Sequence, residues 1–154
     1  MHPKTATLFH RPLLAGLVCA AILSAQATQA SEEEVVMHKD PNCGCCGQWA
    51  EHLRTNGFSV REIATRDMDA IKREAGLPPD LASCHTARIG GYVVEGHVPA
   101  GDIRRLLAER PSVAGISAPG MPLGSPGMEG PSPAESYQVM SFDAEGKTQV
   151  FAEH

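Results

Sequence analysis

Three short stretches of the chain carry side chains that bind soft metals or exchange electrons: Cys43-Gly44-Cys45-Cys46, Ser83-Cys84-His85 and Gly96-His97-Val98-Pro99. A thiolate is at once a metal ligand and a nucleophile, and a helix N-terminus favours it, because unpaired N–H groups and the helix dipole stabilise negative charge. A CxxC pair at the start of a helix therefore serves either metal binding or disulfide exchange. Cys43 and Cys46 also read as a reactive disulfide or a purely structural bridge, and Cys84 as an ordinary buried cysteine. The third thiol, Cys45, weighs against both disulfide readings, since an adjacent thiol invites scrambling. The glycine- and proline-rich stretch after residue 110 adds two thioethers, Met121 and Met128, where no hydrophobic period explains them.

The elements that must position these groups follow from periodicity. Val35 to His38 is a short β-branched strand, ended by Asp40-Pro41-Asn42. From Cys46, apolar Trp49, Ala50 and Leu53 share one helical face, which stops at Asn56-Gly57. Phe58 to Ile63 alternates as a second strand, and Met68, Ile71 and Ala75 line a second helix that ends at Gly76. Thr86 to Ile89 and Tyr92 to Glu95 flank Gly90-Gly91 as a hairpin. Pro99 suits the first position of a third helix, with Ile103, Leu106 and Leu107 on its apolar face and Pro111 beyond its end. Residues 112 to 134 read as a long loop, and Tyr137 to Phe142 with Thr148 to Phe151 as a terminal hairpin. The order β-α-β-α-β-β-α is that of a thioredoxin-like α/β fold. It brings the loops around Cys43, Cys84 and His97 to one end of the sheet.

The chain has 154 residues and a formal net charge of −5, which fits one modest domain and excludes the basic footprint of a nucleic-acid binder. Residues 1 to 30 hold Lys4 and Arg11 without an acid, then the apolar run Leu13 to Ala25 and small residues up to Ala30. That is the three-part pattern of a secretory signal peptide, with cleavage expected near Ala30 and a mature domain over 31–154. Cys19 leaves with it. The membrane enters only if this segment is retained as an anchor, being short of the roughly 20 residues of a span. Export to an oxidising compartment makes two structural disulfides the bland expectation for the remaining cysteines, and the spacing argues against it.

The motifs Cys43-Gly44-Cys45-Cys46, Ser83-Cys84-His85-Thr86, Glu95-Gly96-His97-Val98-Pro99 and Pro119-Gly120-Met121-Pro122, with Gly124-Ser125-Pro126-Gly127-Met128-Glu129, resemble the CopG-like periplasmic copper proteins over residues 34 to 152. The resemblance implies a thioredoxin-like domain that handles copper in the bacterial envelope, a cysteine-rich copper site, and a part in copper resistance. A copper redox role is a further implication. Its partners would be copper ions and other periplasmic copper proteins or an efflux system.

The donor types agree with that implication. Thiolate, thioether and imidazole together suit Cu(I), and four sulfurs can bridge more than one ion. Zinc is the runner-up metal in a closed tetrahedral site, which has no use for Met121. The expected ligand set is Cys43, Cys45, Cys46 and Cys84, completed by His97 and Met121, with metal sequestration or transfer as the function. His85 is expected to face away from Cys84, because strand neighbours alternate. The rivals are a thiol-disulfide or Cu(I)/Cu(II) oxidoreductase and a structural-zinc interaction module. His38, His52 and His154 read as surface or packed histidines. Arg104, Arg105 and Arg110 read as the wet face of the last helix, and Trp49 as core or a shield for the cysteines. No Ser-His-Asp set, phosphate-binding glycine loop or carboxylate pair stands out.

Overall fold

A computed structural model of the chain describes residues 34–154. The expected signal peptide and Cys19 lie outside the described residues. Chain order runs β1 (Val35–Lys39), α1 (Gly44–Thr55), β2 (Val60–Ala64), α2 (Met68–Glu74), a 3-10 turn at Pro79–Leu81, β3 (His85–Ile89), β4 (Tyr92–Gly96), α3 (Ala100–Glu109), β5 (Gly115–Ala118), β6 (Gln138–Phe142) and β7 (Thr148–Glu153). The predicted β-α-β-α-β-β-α order and terminal hairpin are all present. Boundaries move by one to three residues: α1 starts at Gly44 rather than Cys46, β2 at Val60 rather than Phe58, and Pro99 is the extended N-cap of α3 rather than its first helical residue.

All seven strands form one mixed sheet in the order β2-β1-β3-β4-β5-β6-β7. β1/β2 and β4/β5 are parallel, and the other neighbouring pairs antiparallel. The stretch read as a long loop contains β5, which is wholly buried between β4 and β6. Gly115-Ile116-Ser117-Ala118 has a single β-branched residue and no alternation of character, so its strand conformation comes from pairing on both sides rather than from local preference. The remainder of 112–134 is non-repetitive, as expected.

Alternation along the strands separates two cores. Val35, Met37, Ala87, Ile89 and Val94 pack with Trp49, Ala50 and Leu53 of α1 and with Ile103 and Leu106 of α3. Val93, one residue out of phase with Val94, joins Leu77, Leu81 and Phe142 in the second. The larger core anchors the first turn of α1 against the β3 and β4 ends, where the cysteines lie. Among the described residues no helix is long and apolar enough to cross a membrane.

Candidate metal and thiol centre

Asp40 turns the chain out of β1: its carboxylate accepts the Asn42 N–H at 2.8 Å and its carbonyl the Cys43 N–H at 3.0 Å. Cys43 becomes the N-cap of α1 without capping it by its side chain, and Cys45 and Cys46 fall in the first turn, which has no acid. The helix end is thus left open to negative charge on sulfur. Contrary to the reading that the adjacent Cys45 disfavours a bridge here, Cys43 and Cys46 are joined in a disulfide, with Cα atoms 5.5 Å apart, a spacing that the first turn of the helix supplies whatever residue lies between. Cys45 and Cys84 are free thiols, and Cys45 Sγ stands 3.5 Å from Cys43 Sγ.

Cys84 arrives from the other side. Gly96, at φ +72°, ends β4 where a Cβ would lie 2.6 Å from the Ala118 carbonyl and crowd Ser83, so only glycine lets the Ser83-Cys84 bend close onto the start of His97. The four sulfurs of Cys43, Cys45, Cys46 and Cys84 lie within 4.8 Å of one another, and Cys84, His85 and His97 form a second such group sharing Cys84. Cys84 Sγ is 3.1 Å from His97 Nε2 and 3.3 Å from His85 Nδ1.

The structure corrects the expected direction of His85. Cys84 sits in a bend before β3, outside the strand alternation, and His85 shares the inner face with Ala87 and Ile89. It is fully buried, its ring 4.4 Å from Trp49 and 5.1 Å from His97. Its Nε2 is the buried side-chain nitrogen without a hydrogen-bond partner among the described residues. The ring nitrogen that faces the Cys84 thiol is the other one, Nδ1, at 3.3 Å. Trp49 is both core and shield: its Nε1–H donates to the Val98 carbonyl at 2.9 Å, which fixes the indole under the histidines.

His97 is held in one tautomer. Its Nδ1 lies 2.8 Å from the Pro126 carbonyl, which can only accept, so Nδ1 carries the proton and the Nε2 lone pair faces Cys84. Pro126 is brought there by Gly127, whose φ of +82° folds the loop onto the backbone of Cys45, Gln48 and Trp49. Burial lowers the His97 pKa and lowers that of His85 further, with His97 and Lys72 adding to the latter, so both imidazoles are neutral at pH 7. Burial, reinforced by Cys45, pushes the Cys84 thiol up to about 12. Without a cation the centre is therefore close to uncharged at Cys84, His85 and His97.

A buried polar knot on the opposite face of the sheet braces Cys84. Glu95 is fully buried; its carboxylate pairs with Lys72 of α2, accepts the Ser83 N–H at 2.6 Å and accepts the Thr86 hydroxyl at 2.7 Å. Burial raises the Glu95 pKa, with Lys72 the main opposing influence. Ser83 also donates its hydroxyl to the Gly120 carbonyl. Lys72 and Glu95 are far apart in sequence, and although Glu95 opens the motif that holds His97, nothing there marked Lys72 as its partner. Thr86 and Glu95 are register partners across the β3–β4 hairpin.

Of the residues expected to act, Cys43, Cys45, Cys46, Cys84 and His97 come together. Met121 is 54% exposed and lines a separate open cleft of about 930 Å³ with Pro119, Pro122, Tyr137 and Met140. Its neighbour Gly120 is tied to Ser83. Met128 lines a smaller cavity with Cys45. His52 accepts the Ala100 N–H at 3.2 Å, capping α3, and His154 bonds Asp102 at 2.8 Å, so neither belongs to the cluster. Arg104 and Arg105 lie on the exposed face of α3, over Phe58 and Phe151.

A family described as a protein of unknown function, DUF411, matches residues 81–128, the span from the 3-10 turn to Met128 that holds Cys84 and His97. No curated protein matches the chain. Two solved structures do, both named copper resistance protein CopG. Form 2 is 46% identical, has a TM-score of 0.76, and covers 79% of this chain and 98% of its own. Form 1 is 46% identical with a TM-score of 0.75, covering 79% and 96%.

Proposed function

This chain belongs to the family of the copper resistance protein CopG, and from that premise we propose that it binds Cu(I) in the bacterial periplasm, for sequestration or transfer in copper resistance. The observation that carries the reading is the convergence of four cysteine sulfurs within 4.8 Å, with the His97 Nε2 lone pair 3.1 Å from Cys84. Thiolates and a neutral imidazole are soft donors, and a site this rich in sulfur prefers Cu(I) to harder ions. The ligands are Cys43, Cys45, Cys46, Cys84 and His97. Met121 completes the set when the segment after Gly120 folds inward. The shared position of Cys84 in two donor groups suits a bridging thiolate and more than one ion.

The Cys43–Cys46 disulfide sets a condition. Its sulfurs donate as thiolates only after the bond takes up two electrons, so full loading needs a reducing partner. The same bond favours a second reading, a copper oxidoreductase. Two Cu(I) ions giving up one electron each would reduce the disulfide, two protons completing the thiols, and leave two Cu(II). Cu(I) transfer alone leaves the disulfide count unchanged, whereas the redox reading makes thiols appear in proportion to Cu(II).

The test is an anaerobic competition titration of the reduced protein with Cu(I) and, separately, Zn(II), followed through Trp49, the chain's only tryptophan. Tight Cu(I) binding that alters Trp49 emission supports the proposal. Retention of zinc with loss of folding on chelation supports a structural zinc module instead.

A further inference from the structure

The segment after Leu123 is folded rather than loose. Ser125, fully buried, donates its hydroxyl to the Pro122 carbonyl at 2.7 Å, the Met128 N–H returns to Ser125 at 2.8 Å and the Gly124 N–H reaches the Met128 carbonyl at 3.1 Å. Between this turn and the start of α1 lies a cavity of about 260 Å³, lined by Cys45, Gln48, Leu123, Gly127, Met128 and Glu129 among others. Of the four clustered cysteines, Cys45 is the one on its wall.

Three donors of graded softness thus face one space. Glu129 is exposed at the rim and its carboxylate is held by the Gly127 N–H at 2.8 Å. Met128, half-buried, presents a thioether, which selects soft monovalent ions over Zn(II) or Ca(II). Behind them is the free thiol of Cys45, 3.5 Å from Cys43 and so in contact with the other sulfurs.

We propose that this cavity is the port through which a soft monovalent cation, Cu(I) or its analogue Ag(I), reaches the cysteines, Glu129 attracting it and Met128 relaying it to Cys45. No electron moves in the transfer: the donor ligand releases the ion, a Cu–S bond forms at Cys45, and the thiol proton leaves to solvent. The proposal rests on the reading of the cysteines as a Cu(I) site.

The test is stopped-flow transfer of Cu(I) from a coloured phenanthroline-type bis-chelate to the reduced chain, comparing wild type with Met128→Leu, Glu129→Gln and Met140→Leu, the last on the larger cleft. Gln keeps the acceptor for the Gly127 N–H. Met128→Leu and Glu129→Gln are each expected to slow loading by about tenfold with unchanged final occupancy, and Glu129→Gln to flatten the salt dependence of the rate. Met140→Leu is expected to load at the wild-type rate. Wild-type rates in the first two variants would overturn the port. So would a fall in final occupancy with Met128→Leu, which would make Met128 a resident ligand. If wild type itself takes no Cu(I), the underlying site reading fails first, and that result is distinct from both.

Discussion

Replacing Gly127 with Ala should loosen the centre from a position that is not itself a ligand. At φ +82° an added Cβ would sit 2.7 Å from the Trp49 nitrogen, 3.1 Å from the Cys45 carbonyl oxygen and 3.1 Å from the Gln48 carbonyl carbon. All three are helix backbone and cannot swing aside as a side chain would. A non-glycine residue in the left-handed region carries about 1–2 kcal/mol of strain, and forcing an extra carbon into packed surroundings adds about 1–3 kcal/mol. If the loop lifts to relieve this, it gives up the Pro126–His97 hydrogen bond, a net contribution of about 1 kcal/mol. The expected loss of stability in urea unfolding of the metal-free protein is about 2–5 kcal/mol if the loop stays in place and about 1 kcal/mol or more if it lifts. Nitrogen NMR of His97 should show the Nδ1–H tautomer no longer fixed. An unfolding free energy within about 0.5 kcal/mol of wild type, the range of a neutral surface change, together with an unchanged His97 signal, would refute the argument that Gly127 clamps the loop.

Cys84→Ser should leave the fold intact, because the hydroxyl can still meet His97, yet weaken Cu(I) binding by about a hundredfold or more, as expected when one of four strong ligands is lost. Competition titration measures it, and unchanged affinity removes Cys84 from the site. Glu95→Ala strips Lys72, Ser83 and Thr86 of their shared acceptor and should destabilise the protein by about 3–5 kcal/mol in chemical denaturation. A loss under 1 kcal/mol, no more than an exposed ion pair supplies, would mean that the knot is solvated. Cu(I) affinity should rise with pH. Cys84, with its pKa pushed up to about 12, is protonated across the neutral range, so displacing its proton alone contributes about tenfold per pH unit to the affinity. The imidazoles, with lowered pKa values, are already neutral above pH 6.5 and add no further slope there. A pH-independent affinity would show that no cysteine proton, that of Cys84 included, is displaced when the ion binds.

Much of the centre was legible because its parts lie next to strong local signals. The Cys43 motif stands at a strand-to-helix turn marked by Pro41-Asn42 and by the helical period of Trp49, Ala50 and Leu53. Cys84 and His97 flank a hairpin announced by Gly90-Gly91. Topology alone then brings the three loops to one end. The Cys43–Cys46 bridge, which the third thiol had been read as disfavouring, and the direction of His85 were misjudged locally; the rest of what escaped depends on contacts distant in sequence. β5 is a strand because β4 and β6 pair with it, and its three small residues, Gly115, Ser117 and Ala118, carry little preference of their own. His85 faces inward because the bend at Cys84 breaks the alternation from which its direction was read. The Glu95–Lys72 pair and the Pro126 carbonyl act through single atoms, one of them backbone, and no spacing rule marks a carbonyl that fixes a tautomer.

The most direct test of the Cu(I) site is residue-resolved thiol masking. The protein is reduced anaerobically, loaded with Cu(I) until a chelator competes, and alkylated, and each cysteine is then read by peptide mass spectrometry. The account predicts copper bound stoichiometrically and a fall in the alkylation rate of each cysteine on loading, read most clearly at Cys45, since Cys46 is buried and the raised pKa of Cys84 already slows its alkylation before loading. Protection of Cys43 and Cys46 alone, through a re-formed disulfide, with Cys45 and Cys84 reactive and no copper retained, would contradict it.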